Sequence, residues 1–145
     1  MALFNPSRDQ VRQFFFDTWS KFKQQSKLSD LEAIALQVMH MHPEYHAVLN
    51  ASERYLEQAY FPEMGETNPF LHMSLHLSVL EQIAINQPFG IVSAYQSLQQ
   101  KNADPHHAQH DLMDCLAETI WQAQRAQQPP DAEAYLACMQ LKASR

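Results

Sequence analysis

The chain has 145 residues, 46% of them hydrophobic and 18% charged, which places it with ordinary globular sequences and outside the disordered class. Its formal charge is −6, and its only basic cluster, Lys21, Lys23 and Lys27, reads as the solvated end of a helix. These features argue against a nucleic-acid partner, because duplex binding needs Lys and Arg concentrated on one face.

The length fits one domain, residues 1–145, able to bury a real core. Two cysteines, Cys115 and Cys138, occur without a CxxC motif, so two free thiols in a reducing compartment are expected. The aromatic run Phe14-Phe15-Phe16 has charged residues within a few positions. It reads as neither a secretory h-region nor a membrane span, and the expected location is the cytoplasm.

Two glycines remove most hairpin-turn chemistry, whereas the prolines fall where helices start. After Pro6, the recurrence of Val11, Phe15, Phe16, Trp19 and Phe22 predicts an amphipathic helix over residues 7–25. Ser29 followed by Glu32 is a capping box, opening a helix that runs to about His40 and stops near Pro43. Residues 43–57 read as one or two short helical turns, and residues 60–67 as a loop. Asn68-Pro69 is a cap followed by Pro at the first helical position, and predicts a helix to about Asn86. Pro88 and Gly90 punctuate a turn before a helix over residues 91–100. Asp104-Pro105 opens the longest late helix, to about Gln127, and Asp131 caps a last one ending near Lys142. No strand pattern emerges, so the expected class is all-α: a compact bundle of five to six helices.

Histidines carry the chemistry. His42 and His46, His72 and His76, and His106 and His110 form three pairs at i, i+4, where random placement of eight histidines gives on the order of 0.4 such pairs. That spacing puts two imidazoles on one helix face, a turn apart, where both nitrogens can reach one metal ion. With His72 at zero and about 100° per residue, His76 falls near 40°, Val79 near 340°, Leu80 near 80° and Ile83 near 20°. This pair therefore lies on the apolar stripe, where both ring nitrogens need partners. His110 lies toward the flank of the stripe formed by Leu112, Met113, Leu116 and Ile120, with Asp114 one turn along and Glu118 farther round. His106 and His107 fall in the first turn, where exposure is expected. Pro43 interrupts the His42–His46 pair, so His42 ends one helix and His46 belongs to the next turn. His40 projects away from the stripe of Leu31, Ile34, Val38 and Met41 and reads as surface.

No phosphate-cradling glycine loop, dinucleotide fingerprint or Glu-x-x-His repeat occurs. The sequence thus names no reaction and implies no organic cofactor. The predicted metal ligands are His46, His72, His76 and His110, with Asp114 as a carboxylate contributor. Imidazoles favour zinc, iron, nickel or copper over magnesium or calcium. The alternative is a non-enzymatic interaction or regulatory domain whose core histidines are hydrogen-bonded and structural. It would bind a protein partner or a second copy of itself through an apolar patch around Tyr60-Phe61-Pro62.

Several segments taken together resemble one family. They are Asn5-Pro6-Ser7-Arg8 before an aromatic helix, His42-Pro43-Glu44-Tyr45-His46, and Gly65-Glu66-Thr67-Asn68-Pro69-Phe70-Leu71-His72 with Ser74-Leu75-His76. Trp121-Gln122-Ala123-Gln124-Arg125 and Pro129-Pro130-Asp131 with Tyr135-Leu136 complete the pattern. The family is the bacterial domain of unknown function 1841. The resemblance covers nearly the whole chain and implies His46, His72, His76 and His110 as family positions. It implies no activity, substrate or cofactor.

Overall fold

In the computed structural model, residues 8–56, 58, 68–102 and 104–145 are described. The expected start at Pro6 and Ser7, the loop over residues 60–67 and the apolar patch at Tyr60-Phe61-Pro62 lie outside them. Among the described residues there is helix and no strand. The elements are α1 (Arg8–Lys23), α2 (Asp30–Met41), a 3₁₀ turn (Pro43–Tyr45), α3 (His46–Leu49), α4 (Ser52–Tyr55), α5 (Pro69–Ile85), α6 (Ile91–Lys101), α7 (Pro105–Ala126) and α8 (Ala132–Ser144). Among the described residues there are eight α-helices against the expected five to six, because the short turns expected over residues 43–57 form two four-residue helices of their own, α3 and α4. None of these helices is long and apolar enough to cross a membrane.

Helix ends follow their capping chemistry. Ser29 accepts from the Glu32 amide at 3.2 Å while Glu32 accepts from the Ser29 amide at 2.9 Å, closing the capping box. The Asn68 side chain accepts from the Phe70 and Leu71 amides at the start of α5. Asp104 and Asp131 cap α7 and α8 in the same way. At the other ends, Gln25, Asn86 and Gln127 take positive φ, the left-handed conformation that terminates a helix.

The chain divides into two compact units, Met1–Leu77 and Ser78–Arg145, with the division inside α5. In the first unit, α1 packs on α2 and α3. Phe15, Phe16, Trp19, Ala35, Val38, Met39, Leu49 and Phe70 are buried there. Arg12 is buried with them, and its Nη1 donates to the carbonyls of Tyr55 (3.1 Å), Leu56 (3.1 Å) and Gln58 (2.7 Å). Its guanidinium also stacks 4.7 Å from the centre of the Phe70 ring. Backbone between α4 and α5 is thereby tied to α1.

In the second unit, α8 packs on α6 and α7. Ile91, Leu98, Leu112, Tyr135 and Met139 are buried, and the Tyr135 hydroxyl donates to Gln82 at 2.6 Å. Cys115 of α7 and Cys138 of α8 form a disulfide, with Cα atoms 5.8 Å apart. This corrects the expectation of two free thiols. The packing of α8 along α7 brings together two residues 23 apart in sequence, a proximity that no local motif announces.

Candidate metal centre

The first histidine pair begins where α2 ends. Proline disfavours helical backbone in the residue before it, and His42 accordingly leaves the helix at φ −127°, ψ 68° ahead of Pro43. The chain then tightens into the Pro43–Tyr45 3₁₀ turn. This break carries the His42 ring into the interior, where the residue is 2% exposed. Its Nδ1 faces Glu44 Oε2 at 3.3 Å, and its Nε2 faces Nδ1 of His76, on α5, at 3.1 Å. Tyr45 stacks on the same ring with planes 21° apart, and the His72 ring meets it edge-on at 4.4 Å between centroids. His76 is fully buried.

Charge and burial shape the neighbours of His42. Partial desolvation works to raise the Glu44 carboxyl, but its own backbone amide and the His42 ring outweigh it and hold the group below the ordinary glutamate range. Burial, reinforced by the nearby Glu44 carboxylate, pushes the Tyr45 phenol up. At neutral pH the turn therefore presents an anionic acceptor and a neutral aromatic face to one imidazole.

The second pair lies in the first turn and a half of α7. Asp104 caps the helix by accepting from the His106 amide, and Pro105 supplies the fixed φ of the first position. One turn separates His106 from His110, and their Nε2 atoms approach to 2.8 Å. Both residues are half-buried, whereas the intervening His107 is exposed.

Both nitrogen pairs raise the same question of protons. Two ring nitrogens at such distances repel if both present lone pairs, so each pair needs one hydrogen between its members, or a cation. A tetrahedral ion with bonds of 2.0–2.1 Å holds its nitrogens about 3.3 Å apart, and a square-planar one about 2.9 Å. The 3.1 Å separation falls in that range, and the 2.8 Å one lies just below its square-planar end. His42 with His76 in the first unit, and His106 with His110 in the second, are thus two imidazole pairs, each of which could share a metal ion.

Of the ligands expected from sequence, these pairs contain His76 and His110. His72 contributes its ring to the wall around His42 and belongs to neither pair. His46 heads α3, donates from Nε2 to the Met39 carbonyl at 2.8 Å and leans on Trp19 at 4.7 Å between centroids. Asp114 is exposed, facing Lys142 at 3.9 Å. His40 is exposed, in keeping with its surface reading. His42 and His106 are the two members that sequence reasoning passed over. Pro43 was the available signal for His42, since a helix broken there frees that side chain to turn inward. For His106 the signal was its spacing to His110, outweighed by the exposure expected of a first turn.

The sequence pattern of the family described as Domain of unknown function (DUF1841) matches residues 7–141, and the chain belongs to that family. No curated protein and no solved structure matches the chain.

Proposed function

We propose that this protein binds a transition-metal ion through paired histidines, His42 with His76 and His106 with His110. The observation that carries the reading is the pair of close nitrogen approaches, 3.1 Å in one unit and 2.8 Å in the other, each between two imidazoles. Neutral imidazole nitrogens with no thiolate or carboxylate suit zinc, nickel, copper or iron and disfavour magnesium and calcium. An ion held only by neutral ligands keeps its full charge and supplies Lewis acidity. Burial supports the reading, since His42 and His76 lie almost or wholly out of solvent, where both ring nitrogens of each need a partner.

The test is metal analysis and titration of protein made without a histidine tag. Wild type should take up zinc, nickel or cobalt, with a rise in melting temperature. Structural four-ligand sites contribute about 10–16 kcal/mol, so one ligand is worth about 3 kcal/mol, and His76→Ala or His106→Ala should weaken binding on the order of 100-fold. His40→Ala and His107→Ala should bind as wild type does. Half-buried His106 keeps the test sound if loss of the buried His76 ring prevents folding. Wild type that takes up no metal, or an equal loss in His40→Ala and His106→Ala, overturns the reading.

A further inference from the structure

His42 can serve a metal through Nε2 only if that nitrogen carries a lone pair. A neutral imidazole in water favours neither tautomer strongly, so a buried ligand histidine needs a fixed partner for its other nitrogen. In this chain that nitrogen is Nδ1, and the group in front of it is the Glu44 carboxylate at 3.3 Å. Nε2 points the opposite way, toward His76.

We infer that Glu44 is a positioning residue of this centre: it holds the proton of His42 on Nδ1 and thereby assigns Nε2 as the ligand atom. The inference rests on the metal reading above and adds a role that neither the family nor the histidine pair supplies.

The local sequence explains how two residues of spacing achieve this. Pro43 forces His42 out of the helix, and the 3₁₀ turn that follows brings Glu44 back onto the ring that precedes it. Tyr45, next in the same turn, stacks on the ring and fixes its plane. Proline, carboxylate and aromatic thus set backbone, tautomer and ring orientation in three successive residues. A separation of 3.3 Å is at the long end for a hydrogen bond, and the Glu44 side chain is 57% exposed, so its contribution belongs at the weak end of such partnerships.

Two measurements on full-length, tag-free protein at pH 7.5 test it. The first is the tautomer of His42 in the metal-free protein, read from ¹⁵N shifts of its ring and assigned with a His42→Gln sample. The second is the affinity for Co(II), followed by its visible ligand-field bands. Wild type should show Nδ1 protonated. Glu44→Ala should lose that preference and bind Co(II) about tenfold more weakly. Glu44→Gln should keep Nδ1 protonated, because the amide oxygen accepts the same hydrogen bond, and should recover most of the affinity. A merely structural role for Glu44 would move neither the tautomer nor its rescue by Gln. Wild type that binds no Co(II) overturns the metal reading, and this inference with it. Wild type that binds, with Glu44→Ala unchanged in tautomer and affinity, overturns the role of Glu44 alone. Equal weakening in the Ala and Gln variants overturns tautomer control.

Discussion

The two units of this chain hold themselves together by different means. In the first, a single buried cation does much of the work: Arg12 spans three backbone carbonyls and the face of Phe70. In the second, a covalent bond from Cys115 to Cys138 joins α7 to α8. The histidine pairs differ in the same direction. His42 and His76 are enclosed and backed by a carboxylate and an aromatic ring, whereas His106 and His110 are half-buried on a single helix. A pair on one helix is fixed by backbone geometry alone. A pair assembled from α2's end and α5 needs the surrounding packing to stay in register, and the first unit carries more polar positioning for that reason.

Removing each device should break the comparison at a known place. The largest effect is expected from Arg12→Met, which leaves the stem but strips three carbonyls of a charged donor. Hydrogen bonds to charged groups and the cost of orphaned buried partners together predict a loss of about 4 kcal/mol. Denaturant unfolding should report it, and hydrogen exchange should place it in α1 and α2. Arg54→Met, a surface change over Tyr55, should stay within about 0.5 kcal/mol. Equal acceleration of exchange in α7 and α8 would show that the two units are not held separately.

Next in size is the cross-link. Closing a loop with 23 residues of separation restricts the unfolded chain by about 3 kcal/mol. The Cys115→Ala/Cys138→Ala double variant should therefore unfold at lower denaturant, with faster exchange in α7 and α8 and little change in α1 and α2. A melting curve for wild type that is the same with and without reductant would count against a disulfide in solution.

These devices were unequally legible in the sequence. Helix positions could be read because each cap is local: Ser29 with Glu32, Asn68-Pro69, Asp104-Pro105 and Asp131 act within three residues of themselves. The burial of His76 was legible too, since the apolar period of α5 places it. The partners across space were not. His42 meets His76 across 34 residues, Arg12 meets Gln58 across 46, and helical periodicity carries no information about which faces meet. Sequence reasoning put His46 with the ligands because of its spacing, while the fold gives its Nε2 to a backbone carbonyl.

The smallest expected effect concerns two carboxylates of opposite character. Glu32 in the first unit is held below the ordinary range, first by the hydrogen bond from Lys21 and then by the Ser29 backbone. Glu81 in the second unit is pushed up by burial, and among the described residues its Oε1 has no hydrogen-bond partner. A carboxyl lowered by folding contributes stability above its unfolded pKa, and that stability disappears as pH falls through the folded value. A carboxyl raised by folding does the reverse: the folded state binds its proton more tightly, so stability falls as pH rises from the unfolded value through the folded one. Acidification through the carboxylate range should thus weaken the cap of α2 while relieving α5 at Glu81. Glu81→Gln isolates the second effect. It should raise the melting temperature at pH 7.5, because the neutral amide avoids the ionisation that burial opposes, and the gain should vanish at about pH 3, below the ordinary glutamate range, where Glu81 is protonated in both states. Partial exposure of Glu81 keeps this effect below those of Arg12 and the disulfide. A gain of the same size at both pH values would assign it to packing, and no gain at pH 7.5 would show that Glu81 finds a partner when ionised.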